Sequence, residues 1–276
     1  MRKLLNTLYI TTPEAYLSKD GLNVVVSVDK EELFRIPIMN IEGIVTFGYM
    51  GASPGLMKLC MDNNVSLSFM TPQGRFICRV QGSTKGNVLL RKKQYTLSED
   101  ENVALHLSKL FIGGKVFNSR NILQRFIRDN GSNEEVEYAV KQLEWSKKCI
   151  LKADSMEILR GEEGRAANVY FGVLDHLILH QKTDFTFNGR TRRPPKDEVN
   201  AMLSFVYTLI ANDVAAALES VGLDPYVGFM HTLRPGRTSL ALDMMEELRG
   251  YLGDRLVLSM INRKQVTKKD FIRQGD

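Results

Sequence analysis

The apolar residues of this chain change their period once, near residues 85 to 95, and that change limits the folds open to it. Before it, short runs rich in β-branched and aromatic residues occupy 22–28, 33–37, 41–47, 65–69 and 75–80, each bounded by Gly, Pro, Asp or Asn. Such runs have the length and composition of strands. One short helix is predicted among them from Ser53 to Asp62, with Ser53 as cap and Pro54 at the first helical position. Pro72-Gln73-Gly74 reads as a hairpin turn. After the stretch 82–87 the spacing turns helical, predicting helices at 100–111, 117–129, 133–151, 156–180, 196–221 and 238–250. The third is expected to open on a capping box of Ser132 with Glu135. The expected architecture is α+β: a small N-terminal β domain over 1–88 followed by a larger all-α domain over 96–276.

A length of 276 residues exceeds the usual single core, in keeping with two domains. With 43% apolar and 25% charged residues, the composition excludes disordered and fibrous classes. Set against 32 acids, 37 basic residues leave a net charge of +5, which favours a polyanionic partner such as nucleic acid. Cys60, Cys78 and Cys149 are odd in number and far apart, so they read as reduced thiols and not as a zinc site. The N-terminus is basic but lacks the apolar stretch of a signal peptide, and no segment is read as reaching the roughly 20 apolar residues that span a bilayer. A cytoplasmic protein without membrane association is expected.

Acids and one histidine carry the chemistry. In Arg160-Gly161-Glu162-Glu163-Gly164-Arg165-Ala166-Ala167, Glu163 shares a helical face with Ala166, Ala167 and Tyr170, where small side chains permit close approach. Glu162 lies nearer Arg165 and reads as a surface pair. Asp243 and Glu246 are three apart and share a face, so a cation would relieve their repulsion; the plainer reading is solvated acids balanced by Arg249 or Arg255. His231 sits between apolar Val227-Gly228-Phe229-Met230 and a basic loop, either as a metal ligand or as a satisfied core histidine. Asp175, His176 and His180 form a competing constellation, read here as helix packing with a polar edge. Glu163, His231 and Glu246, with Asp243 adjacent, would suit Mn²⁺ or Mg²⁺, manganese tolerating the nitrogen donor better. Such a centre suits phosphodiester chemistry. The loop bearing Arg190, Arg192, Arg193 and Lys196, together with Arg234 and Arg237, is expected to hold DNA phosphates.

These residues resemble a known family, the CRISPR-associated integrases of spacer acquisition, the nearly universal first Cas protein. The resemblance runs almost end to end, through Ser53-Pro54-Gly55-Leu56, Gly74-Arg75-Phe76, Gly86-Asn87-Val88-Leu89-Leu90-Arg91, Arg160-Gly161-Glu162-Glu163-Gly164, the stretch 193–207, Gly228-Phe229-Met230-His231 and Ser239 to Glu246. The form Ala241-Leu242-Asp243-Met244-Met245-Glu246-Glu247-Leu248-Arg249 is most similar to type I systems of subtype C. The resemblance implies an N-terminal β domain that forms a homodimer and an all-α catalytic domain. It also implies a metal-dependent DNA endonuclease and integrase of CRISPR adaptation, part of antiviral defence. That enzyme joins prespacer 3′-hydroxyl ends to the CRISPR repeat by transesterification, with two dimers around a dimer of the small second Cas protein. The family's metal ligands fall on Glu163, His231 and Glu246, and Asp243 matches a nearby acid; in many relatives the last ligand is Asp, a departure here. Asn200 and Tyr207 match recurrent residues. Two rival readings remain, a non-catalytic basic DNA-binding scaffold and a small-molecule metallohydrolase built on the same acids.

Overall fold

The computed structural model describes residues 6–82, 88–192 and 194–272. The chain divides into two compact units, Met1–Lys85 and Gly86–Asp276.

In the first unit a four-stranded sheet has the order β1-β5-β6-β7, from Thr7–Ile10, Gly43–Phe47, Ser66–Met70 and Phe76–Val80. A three-stranded antiparallel sheet is made of β2, Tyr16–Asp20, β3, Asn23–Val28, and β4, Glu31–Pro37. Helix α1, Pro54–Asp62, is the crossover between the parallel strands β5 and β6, and Ser53 caps it by accepting from the Leu56 amide. Leu17, Val24, Ile44, Leu56, Cys60 and Leu67 fill the core between these elements. Thr71-Pro72-Gln73-Gly74 makes the turn into β7, with Gly74 at φ 78° and the Thr71 amide donating to the Arg75 carbonyl at 2.8 Å. Strands β1 and β2 were not expected. Each is short and buries a single residue, Ile10 and Leu17, so neither carries an alternating pattern.

The second unit is helical: α2, Val88–Glu99; α3, Glu101–Asn130; α4, Glu134–Lys152; α5, Met156–Gly172; α6, Glu198–Ser220; α7, Ser239–Leu248; and α8, Arg255–Asn262. Helix α2 covers the gap between the two expected domains and runs on into the second as far as Glu99. Two expected helices merge into the 30-residue α3, because Gly113 and Gly114 continue the helix. A Cβ on Gly114 would lie 2.9 Å from the Glu247 Cγ, so the missing side chain lets α7 approach. Helix α4 is capped by Asn133, whose side chain accepts from the Val136 amide, while Ser132 donates to Glu137; the capping box of Ser132 and Glu135 does not form. Helix α5 stops at Gly172, and a 3₁₀ turn over Leu174–Leu177 follows where helix was expected to reach 180. A π turn over Arg249–Asp254 joins α7 to α8.

Helix α6 corrects another expectation. Its 23 residues reach a mean hydropathy of 1.6 over an 18-residue window, long and apolar enough by composition alone to cross a bilayer. Here Val199, Leu203, Val206 and Ile210 join the helical core, and the helix buries Asn200 and Asn212 among them.

Candidate active site

Four segments of the helical unit meet at one cluster of charges. Helix α3 brings Lys115, α5 brings Glu163, and α7 brings Glu246, with Arg249 in the π turn that follows. The Lys115 ammonium pairs with Glu163 Oε1 and lies 2.9 Å from Glu246 Oε2, while Arg249 Nη1 lies 3.1 Å from Glu246 Oε1. Glu246 is 3% exposed. Burial by itself would raise its carboxyl, but Lys115 and Arg249, with His231 adding to them, outweigh burial and hold it below the ordinary carboxylate range.

His231 enters from the loop before α7. Its Nδ1 lies 2.5 Å from Asp243 Oδ1, and its own amide donates to the same oxygen at 3.0 Å. The amides of Phe229 and Met230 donate to Asp243 Oδ2 at 2.6 and 3.0 Å. A carboxylate only accepts, so Nδ1 carries the proton and the Nε2 lone pair is left for another partner. Arg160, one helical turn before Glu163, donates to the Met230 carbonyl at 2.7 Å and ties α5 to the His231 loop. The approach depends on Gly228: a Cβ there would lie 2.6 Å from Asp243 Oδ2 and 2.7 Å from the Ser239 backbone carbon. Gly228→Ala is expected to cost about 2 kcal/mol by overpacking, read as a lower melting temperature.

Asp243 is not the solvated acid of the plainer reading. It shares the helix with Glu246, yet it is fully buried among backbone amides and holds the imidazole. Glu162 pairs with Arg165 at 3.0 Å as expected. Arg190 also departs: its Nη1 donates to Asn200 Oδ1 at 2.7 Å, its Nη2 to Ser204 Oγ at 3.1 Å, and its guanidinium lies over the Tyr207 ring. That arginine props up the loop and does not reach outward. Arg192, Lys196 and Arg234 are exposed, Arg237 is half-buried, and Arg193 lies outside the described residues. Asn200, fully buried, accepts from the Thr191 amide and donates to the Gly189 carbonyl, pinning the loop to α6. Tyr207 donates to Asp254 at 2.5 Å. In the rival constellation Asp175 accepts from the Phe187 amide, His176 meets Glu135, and only the backbone of His180 is engaged, by Asn262. The end of α5 removes the i, i+4 geometry that constellation needed.

Sequence reasoning missed Lys115 and the part played by Arg160. The one local signal for Lys115 was the Gly113-Gly114 pair before it, costly in a helix unless another element packs there.

Among the described residues, no three His, Cys, Asp or Glu side chains already surround a common point for a metal. The donors nonetheless fit a divalent cation. Glu246 Oε2 is buried and touches the ammonium without hydrogen-bond geometry, Glu163 faces the same cation, and His231 offers Nε2. Two carboxylates and an imidazole suit a hard or borderline ion.

Known proteins share the sequence and the fold of this chain. The family model described as CRISPR associated protein Cas1 matches residues 8–276. A CRISPR-associated endonuclease Cas1 from Chlorobaculum tepidum is 48% identical over 274 residues, covering 98% of this chain and 80% of the relative. One from Rhodospirillum rubrum is 46% identical over 280 residues, covering 99% and 80%. Among solved structures, a Cas1 protein from Thermotoga maritima has a TM-score of 0.82 at 21% identity, covering 98% of this chain and 83% of that one. A casposase bound to an integration product has a TM-score of 0.79 at 24% identity, covering 98% and 76%. By the span of the family match and the identity of these relatives, the chain belongs to the CRISPR-associated Cas1 family.

Proposed function

We propose that this protein is a divalent-metal-dependent DNA endonuclease and integrase of CRISPR adaptation, acting with the small second Cas protein. The observation that carries the reading is the single ammonium shared by Glu163 and Glu246, beside an imidazole fixed by Asp243. Carboxylates from two helices converge on a site that attracts positive charge. Relatives named as endonucleases, a neighbour seen in a Cas6-RT-Cas1–Cas2 complex and a casposase bound to its integration product support the substrate class and the partner.

Glu163, Glu246 and His231 Nε2 would hold Mn²⁺ or Mg²⁺, with manganese the better match to a nitrogen donor. When bound, the ion supplies charge neutralisation and activation of a hydroxyl. In the joining reaction a DNA 3′-hydroxyl oxygen attacks a phosphorus of the repeat, one phosphodiester forms, and the old P–O3′ bond breaks with its proton balance restored at the new 3′-hydroxyl. The chain's own residues orient this exchange. Asp243 keeps the imidazole in one tautomer, and Arg192, Lys196, Arg234 and Arg237 hold flanking phosphates. The N-terminal unit exposes Leu33, Phe34, Tyr49 and Met50, apolar residues suited to the homodimer.

The test is a mixture of the protein, Mn²⁺, a duplex with 3′-hydroxyl ends and a supercoiled CRISPR array. Branched or nicked products that require both the ion and the hydroxyl are expected. Salt-sensitive binding with no nicking or joining under any divalent ion would replace the reading with a scaffold role. The basic residues separate in the same experiment. Arg192→Ala is expected to leave the melting temperature unchanged and to reduce the salt slope of DNA binding by about one. Arg190→Ala is expected to leave the slope unchanged and to cost about 2 kcal/mol of stability, since Asn200 and Ser204 lose a charged donor.

A further inference from the structure

Lys115 marks where positive charge is attracted, but the reaction described above assigns it no part. Its side chain is 11% exposed, and one nitrogen contacts carboxylates from two helices. An ammonium is a compact point charge on a flexible four-carbon stem, so it can stand where an ion would stand and then leave. Arg249 differs: it holds the opposite oxygen of Glu246, Oε1, from the next turn of the same helical stretch.

We infer that Lys115 is the resident counter-cation of the metal centre, occupying the place between Glu163 and Glu246 until a divalent ion displaces it. The inference rests on the proposed metal centre and adds how that centre is filled and emptied. Glu246 is buried and Glu163 half-buried, so without a cation the two carboxylates would repel each other where water screens them poorly, and something positive has to lie between them. With the lysine in place the metal donors do not surround a common point, in keeping with a site closed around another cation. The contact with Glu246 Oε2 lacks hydrogen-bond geometry, so one of the two holds on the ammonium is an ion pair alone. A divalent ion placed beside an unmoved ammonium would face direct repulsion, so entry requires the lysine to swing out.

The arrangement follows from the helix that carries it. Gly114 allows α7 to lie close to α3, which brings Glu246 within reach of the neighbouring lysine. A bulkier residue at 114 would hold the helices apart, and the same step that lets α7 pack therefore delivers the cation.

Lysine occupancy lowers apparent metal affinity by the fraction of molecules in which the site is open. If about nine in ten are closed, Lys115→Met should bind Mn²⁺ about tenfold more tightly than the wild type, measured on the full chain by electron paramagnetic resonance of free Mn²⁺. A second measurement needs no variant. Lys115 in the wild type should resist an amine-acylating reagent without metal and become several-fold more reactive when Mn²⁺ is saturating, read by peptide mass spectrometry. Unchanged acylation with Mn²⁺ bound overturns the inference, and so does a folded Lys115→Met protein with wild-type or weaker affinity. If the variant does not fold, the acylation result decides. Glu163→Ala and Glu246→Ala separate the two levels. Loss of Mn²⁺ binding in both, with unchanged lysine reactivity in the wild type, removes only the lysine assignment, whereas wild-type Mn²⁺ binding in both removes the metal centre and the lysine's role with it.

Discussion

Strand transfer by Glu163→Ala, His231→Ala and Glu246→Ala proteins is expected to fall by about a thousandfold, equivalent to about 4 kcal/mol of lost transition-state stabilisation. Asp243→Asn is expected to fall nearly as far although its carboxylate is taken up by loop amides and the imidazole. The Asp243 carboxylate accepts four bonds: the Phe229 and Met230 amides on Oδ2, and the His231 amide and Nδ1 on Oδ1. Asparagine offers one oxygen and one NH₂. Turned one way it leaves two backbone amides facing a donor; turned the other, it faces the imidazole with an N–H and favours the tautomer that puts the proton on Nε2. The first orientation costs about 3 kcal/mol of stability through unsatisfied buried donors, and the second removes the Nε2 lone pair that the proposed metal would need. Assays of joining and Mn²⁺ binding, with melting temperatures for each variant, check this. Full Mn²⁺ binding and full joining by a stable Asp243→Asn protein would show that the imidazole is oriented by something else.

The difference between Asp243 and Glu246 also shows where the sequence stops being informative. Both acids were visible as a pair on one helical face, because i, i+3 spacing is geometry that a sequence contains. What separates them is not written there: Asp243 meets backbone amides of a loop, which any residue but proline supplies, and Glu246 meets a lysine 131 positions earlier in the chain. Lysines in helices are common and mostly solvated, so Lys115 carried no mark apart from the glycines before it. Arg190 was misjudged for the opposite reason. Its loop is rich in basic residues and proline, which suggests an outward phosphate grip, yet the buried Asn200 draws that one guanidinium inward. Helix α3 was split because local propensity disfavours Gly113-Gly114, and packing against α7 overrides it. The run Val173 to Leu179 was read as continuing α5 because apolar periodicity does not distinguish a helix from a 3₁₀ turn that buries Leu174 and Leu177. The strands β3 to β7 are legible because their β-branched and aromatic composition and their bounding turn residues agree with the sheets they enter.

The π turn after α7 leads to a pH-dependent result. Asp254 is 2% exposed, and burial pushes its carboxyl up to about 6 despite the opposing effects of the Tyr207 and Tyr170 hydroxyls and of Arg249 and Arg190. The unfolded chain returns it to the ordinary value of 3.8, so the native state holds the proton more tightly. Stability from this group is therefore fully present below pH 3.8 and is lost as pH rises through about 6, with no further loss above. The gap between about 6 and 3.8, at about 1.4 kcal/mol per pH unit, corresponds to about 3 kcal/mol. Asp254→Asn stays neutral at every pH and keeps an oxygen to accept from Tyr207. It is expected to exceed wild-type stability by about 3 kcal/mol at pH 8 and to match it near pH 4, measured by urea unfolding at both. Unfolding curves separated by the same margin at both pH values would mean that this carboxyl does not titrate with folding. A stability cost at neutral pH also explains what the acid does there. The guanidiniums of Arg190 and Arg249 both lie against the Tyr207 ring, at 5.4 and 5.1 Å from its centre, and Asp254 accepts from its hydroxyl. Arg249 also pairs with Glu246, so contacts through the Tyr207 ring connect the destabilising carboxyl to the candidate active site.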